Sequence, residues 1–257
     1  MKGLTETIEK IRKDPKGYAI ILGDLCEAIT IDDKRFDVET APDVKGSTPI
    51  RQYQKVTELL RPIAKKILYI NDGNHDYHLC NKAGNLVRDV VCQTLDIPYG
   101  TYSTKFSVRD KANRVQFKIF TSHGFGSINS SADDPIRRKS NMRLSLKRKL
   151  APKAADCVLM GMGHTHQLLV CRPDHGLYMD DDGRNIKQNY LTPGKINGSS
   201  YIHPDHRWIV NTGSFLKLYN LGTSGYAERF GYNPVELGFV RAEVRDYEIK
   251  KVDKMVV

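Results

Sequence analysis

The chain has 257 residues, 40% of them apolar and 27% charged, and its 40 lysines and arginines outnumber 30 aspartates and glutamates to leave a net charge of +10. That length supports one sizeable core of two packed layers, and the absence of any apolar run of about 18 residues argues against a membrane-spanning helix. Five scattered cysteines (Cys26, Cys80, Cys92, Cys157, Cys171), odd in number and never spaced C-x-x-C, argue against a disulfide framework and for a reducing cytoplasm.

Met1–Glu6 lacks the apolar stretch of a signal peptide. Residues 4–13 read as a short helix with Leu4, Ile8 and Ile11 on one face, ended by Pro15 and Gly17. The apolar run 18–22 reads as a strand, and it leads into Gly23-Asp24-Leu25-Cys26-Glu27. A long loop over 28–48 follows, then a helix over 49–61 closed by Pro62 and a strand over 66–71 that ends in Gly73-Asn74-His75-Asp76. Residues 85–95 read as a third helix, and 102–108 with 115–120 as a hairpin leading to Ser122-His123-Gly124. Asp133-Asp134-Pro135 opens a basic helix to about Leu150 that carries Arg137, Arg138, Lys139, Arg143, Lys147, Arg148 and Lys149. A strand over 156–161 then meets Gly163-His164-Thr165-His166; strands near 167–172 and 207–211 flank a polar stretch, and a last hairpin covers 237–244 and 247–252. Strand and helix alternate early and hairpins come late, with no internal repeat or dividing linker, so a single α/β domain over 1–257 with mixed sheets is expected.

Four polar clusters, each at the end of a strand, would bring one carboxylate, one amide and several imidazoles to a common edge. Such a mix suits Mn, Fe, Zn or a related divalent ion. Asp24 is the candidate bridging carboxylate between two ions. Asn74 can offer its amide oxygen, and His75 would then face substrate as proton donor, with Asp76 orienting it. His164 and His166, two apart, would project to one side in an extended segment. Taken singly, each cluster also reads as an ordinary polar turn, and His123 alone as a satisfied histidine.

The series G-D-x-x-E, G-N-H-D, S-H-G and G-H-T-H resembles the calcineurin-like metallophosphoesterase superfamily in its phage and bacterial branch, and the likeness extends to Val210-Asn211-Thr212-Gly213-Ser214. The resemblance implies a four-layer α/β/β/α sandwich with the site at the strand ends, and hydrolysis of phosphate esters. It implies two divalent ions, Mn first and Fe, Zn, Ni or Mg as others. Asp24 would be their bridge, Asn74, His123 and His164 ligands of the second ion, His166 a ligand of the first, and His75 the catalytic histidine.

The family's opening Asp-x-His motif has no counterpart before Gly23. The expectation is therefore a sandwich without its first strand, Met1 being internal to a longer product. Two alternatives stand: substitutes from His78, His175, His203 or His206, or a one-metal relative that binds phosphates without turning them over. The positive charge points to nucleic acid or nucleotide diesters as substrate. A solvated outer helix explains the basic run 134–150 equally well. Arg229, among the aromatics of Ser224–Tyr232, is a candidate substrate contact, and a packed connection between the last strands explains that stretch at least as well. A nucleic-acid-binding module and a phosphoprotein phosphatase are the rival functions.

Overall fold

The computed structural model describes residues 2–28, 30, 49–191, 201–217, 219 and 231–257. The expected loop over 28–48 lies mostly outside these residues, and Arg229 lies outside them altogether.

The first part of the chain packs helices on a short parallel pair. α1 (Lys2–Lys13) turns Leu4, Ile8 and Ile11 inward, and its last turn carries Lys10, Arg12 and Lys13, where cations complement the helix dipole. β1 (Ala19–Ile21) pairs in parallel with β2 (Ile67–Ile70), with Ile21 opposite Ile70. α2 (Pro49–Leu60) crosses between them and buries Tyr53, Thr57 and Leu60. After β2, α3 (Asn74–His78) and the single turn α4 (Cys80–Ala83) replace the simple turn expected at Gly73–Asp76. The expected helix over 85–95 winds as a π-helix over Val87–Cys92 before α5 (Gln93–Leu95). Ile8, Tyr53, Ile63, Ile70, Leu79, Val91 and Ile97 form the core of this half.

The second half is a five-stranded mixed sheet in the spatial order Ser103–Arg109, Val115–Ser122, Leu159–Met162, Trp208–Thr212, Leu168–Cys171. β3 (Ser103–Arg109) and β4 (Val115–Ser122) form the expected hairpin, whose turn is held by the Asp110 carboxylate accepting from the Ala112 and Arg114 amides at 2.9 Å. α6 (Pro135–Leu150) starts where the Asp134 carboxylate accepts from the Arg137 amide at 2.6 Å and Pro135 sets the first turn. It crosses from β4 to β5 (Leu159–Met162), which runs parallel to β4, and β9 (Trp208–Thr212) runs parallel to β5. β6 (Leu168–Cys171) closes the edge antiparallel to β9.

Alternation along these strands divides the residues between two faces. Met160, Met162, Leu169, Cys171 and Ile209 meet Leu146 and Leu150 of α6. Phe117, Ile119, Leu159 and Val210 meet Val240, Ile249 and Val252 of the terminal hairpin, β10 (Gly238–Arg245) and β11 (Glu248–Val256). The polar stretch expected between β6 and β9 holds a further hairpin, β7 (Gly176–Asp181) with β8 (Ile186–Leu191). A polar seam joins the halves: the Tyr69 and Thr121 hydroxyls lie 2.6 Å apart, and Asn71 donates to the Gly100 and Thr101 carbonyls at 2.9 and 2.8 Å. Among the described residues no helix is long and apolar enough to cross a membrane.

Candidate metal centre

β1, β2, β4 and β5 deliver the four polar clusters to one edge. Past β1 the chain turns sharply, with φ of 84° at Gly23 and 51° at Asp24. The turn lies backbone to backbone against the loop after β2: a Cβ on Gly73 would fall 2.0 Å from Asp24 Oδ1, and one on Gly23 would fall 2.3 Å from the Gly73 nitrogen. Asp76 welds these loops. One of its oxygens accepts from the Asp24 and Gly73 amides, both at 2.7 Å, and the other accepts the Tyr53 hydroxyl. The same bond from Gly73 caps α3, so the turn that shapes the Asp24 loop also starts the helix bearing Asn74 and His75.

Four side-chain atoms with lone pairs then converge. His123 Nε2 lies 3.2 Å from Asp24 Oδ2, 2.9 Å from Asn74 Oδ1 and 3.2 Å from His164 Nδ1, and His164 Nδ1 lies 2.8 Å from Asn74 Oδ1. The other nitrogen of His123 gives its hydrogen to the Leu22 carbonyl at 2.6 Å, which turns Nε2 toward the cluster. Asp24, His123 and His164 place ligand atoms within 4.8 Å of one another, a grouping found among the described residues. Lone pairs packed this closely repel unless protons or a cation sit among them. Burial works against a charged His123, but the Asp24 carboxylate outweighs it and raises the pKa of this imidazole. Burial works against the Asp24 carboxylate too, and the bond to His123 overcomes that to lower its pKa. His164 moves the other way: burial first, then the neighbouring His123, lower its pKa and favour the neutral ring that a metal ligand requires. One amide oxygen, one carboxylate and two imidazoles are a donor set that fits a divalent transition ion.

His75 stands beside this cluster. Its amide donates to Asp24 Oδ1 at 3.0 Å, and its ring Nδ1 donates to the Glu27 carbonyl at 3.0 Å, with a Glu27 carboxylate oxygen 3.9 Å away. Sequence reasoning has Asp76 orienting His75; in the structure Glu27 holds the ring, and the Asp76 carboxylate is directed to Tyr53, Gly73 and Asp24. Burial raises the Asp76 pKa to about 6 against the pull of the Tyr53 and Gly73 bonds. His166 is outside the tight cluster. Burial lowers its pKa, while the carboxylates of Asp24 and Glu27 are near enough to oppose that shift. His164 and His166 both adopt left-handed backbone, φ 63° and 58°, so the alternation of an extended segment does not describe this pair.

The suggested substitutes are elsewhere. His203 and His206 pack at 5.5 Å between ring centroids beside Asp205, and His206 Nδ1 bonds the Asp174 carbonyl at 2.7 Å. His78 and His175 are exposed. Residues that sequence reasoning missed are those that position the candidate ligands. The Tyr102 carbonyl accepts from the His123 amide at 3.0 Å, its ring lies edge-on to the imidazole at 5.4 Å, and its hydroxyl donates to the Gly124 carbonyl at 2.9 Å. Asn211, fully buried on β9, donates to the Thr165 hydroxyl between the two histidines. Only Asn211 had a signal, as part of the Val210–Ser214 segment; Tyr53 and Tyr102 read as ordinary apolar-face residues.

No family model matches this chain, and neither a curated protein nor a solved structure matches it.

Proposed function

We propose that this chain is a metal-dependent phosphoesterase of the calcineurin-like kind, with nucleic-acid or nucleotide diesters as its substrate class and a cytoplasmic setting. The observation that carries this reading is the convergence of Asp24 Oδ2, Asn74 Oδ1, His123 Nε2 and His164 Nδ1 at 2.8–3.2 Å, with His123 Nδ1 committed to the Leu22 carbonyl. The two packed faces of the five-stranded sheet are compatible with a layered sandwich, of which the α/β/β/α arrangement is the proposed form.

Asp24, Asn74, His123 and His164 would hold one ion, for which Mn²⁺ is the first candidate. A second would draw on Asp24 and His166. A bound divalent ion would supply Lewis acidity toward a phosphoryl oxygen. The chain's own residues supply the rest. With Nδ1–H given to the Glu27 carbonyl, Nε2 is the nitrogen that exchanges a proton, and the imidazolium form of His75 can pass that proton to a departing alkoxide and return to the neutral ring. Asp76 and Tyr53 take no part in proton transfer in this scheme; they fix the Asp24 turn and α3 so that His75 and Asn74 keep their separation.

The test is Mn²⁺-dependent hydrolysis of a chromogenic phosphodiester and its monoester counterpart, with metal content measured beside it. Wild type should turn over the diester, and His123→Ala should lose metal and activity together. His75→Ala should keep its metal while turnover falls roughly 10²–10⁴-fold. Wild-type activity no higher than that of His123→Ala would sink the enzymatic reading and leave an ion-holding binding module.

A further inference from the structure

We propose that a ledge running from His123 along α6 binds a single strand of nucleic acid, so that the scissile diester lies within such a strand; this rests on the phosphoesterase reading above. Phe125 stands two residues past His123, within about 7 Å of chain, and 52% of it is exposed. Lys149 Nζ lies 4.4 Å from its ring centroid and Lys153 Nζ 5.5 Å. Lys149 also donates to the Phe125 carbonyl at 3.1 Å, so this residue is pinned to the last turn of α6. Beyond it, Ile128 is buried in the core under α6, Asn141 bonds Ser130 at 3.2 Å, and Arg138 bonds the Ala132 and Asp133 carbonyls at 2.8 and 3.0 Å. The ledge is therefore built, and it begins at a proposed ligand.

Apart from Asp133 and Asp134 at its far end, its charge is of one sign. From Pro135 to Lys153 the sequence has eight lysines and arginines and no carboxylate. Lys147 is paired with Asp174 and Asp205. Among the described residues Arg137, Lys139, Arg143, Arg148, Lys149 and Lys153 have no carboxylate partner. At about 100° per residue, Lys149, Met142 and Arg138 share the flank beside the ledge, with Arg148 and Arg137 on the next row outward. A row of unpaired cations fits a phosphate backbone without regard to sequence. A half-exposed ring offers a stacking surface for a base, which a strand presents and a closed duplex hides. The two features together select a single strand over a duplex or an acidic peptide.

Fluorescence anisotropy of labelled oligo(dU), oligo(U), a short duplex and polyglutamate, in EDTA, tests this. Both strands should bind more tightly than duplex or polyglutamate, and a preference between them names the sugar. Phe125→Ala should weaken strand binding roughly 5–100-fold and Phe125→Tyr should restore it. The Lys149→Gln/Lys153→Gln double variant should reduce the slope of log affinity against log salt by about 1.4. No strand binding, duplex or polyglutamate bound as tightly, or an unchanged Phe125→Ala would overturn the proposal. Strand binding without hydrolysis of the chromogenic diester would remove the phosphoesterase reading and keep the ledge. Hydrolysis without strand binding would do the reverse.

Discussion

Asp24, His164 and His166 all sit at positive φ, a backbone region in which side chains other than glycine cost about 1–2 kcal/mol. Glycine would relieve that cost, yet the sequence has a carboxylate and two imidazoles there, which locates the demand in the side chains. Gly73 shows the converse. Its φ of −104° suits any residue, so what requires glycine is space: a Cβ would overlap Asp24 Oδ1 at 2.0 Å and the Asp24 nitrogen at 2.3 Å. Gly73→Ala must push the Asp24 loop away from α3 and so separate the carboxylate from Asn74. The expected outcome is a folded protein whose Mn²⁺ affinity, measured by calorimetric titration, drops at least about tenfold, the scale on which disturbed ligand positioning acts. An unchanged affinity would mean that Asp24 is not a ligand, or that the loops are not locked together as described.

At the scale of elements, the strands that feed the site were legible because their signals are local: apolar runs bounded by glycine and polar turns at Leu22, Ile70, Ser122 and Met162. The start of α6 was equally plain from Asp134 and Pro135. Other features depend on long-range contacts. α3 forms after Gly73 because Asp76 both caps it and binds the Asp24 loop, 52 residues away, and neither partner is visible in a short window. The β7–β8 hairpin carries the short apolar run Leu177–Met179, but the Asp, Gly and Asn residues that follow it around the turn obscured it. Of the candidate site, the residues that meet there could be read from the sequence; the short distances between them, and the separation of His166 from the tight cluster, required the packing of the two halves.

The far end of the sheet has its own fastening. Asp156, just ahead of β5, receives Lys105 of β3 at 2.6 Å and Lys118 of β4 at 2.7 Å. These two ammonium groups hold its carboxyl well below the usual carboxylate range. A carboxyl whose pKa is depressed by folding stabilises the fold above its unfolded value of about 3.9, and that stabilisation is lost as pH falls toward the folded value. Asp156→Asn should therefore cost about 1 kcal/mol at neutral pH, the scale of two partly exposed ion pairs. The difference from wild type should shrink as the pH is taken below about 4. Urea melts of both proteins at neutral and acid pH measure this. A difference that stays constant would assign the loss to hydrogen bonding or packing instead of charge.

For the whole molecule, the candidate ligand cluster is, beside the Tyr69–Thr121 seam, a place where the two halves share side chains. Asp24 and Asn74 belong to the β1–β2 half, and His123 and His164 to the five-stranded sheet. Across that junction His123 Nε2 lies 3.2 Å from Asp24 Oδ2, and this carboxylate raises the pKa of the imidazole against its burial. An ion bound by all four groups would add bonds to both halves, and any ligand specific to the folded state stabilises it by mass action. At a Mn²⁺ concentration one hundred times the dissociation constant the gain is about 2.7 kcal/mol, or roughly 5–10 °C in Tm for a chain of this size. The gain should grow with concentration and reverse with EDTA. It should also appear in both halves at once, so that hydrogen-exchange protection rises for amides of β1 and β2 as well as β4. His123→Ala should abolish all of it, since that imidazole faces each of the other three ligand groups. Protection confined to one half would mean that the ion binds on one side of the junction, and that the convergence of the four groups has another purpose.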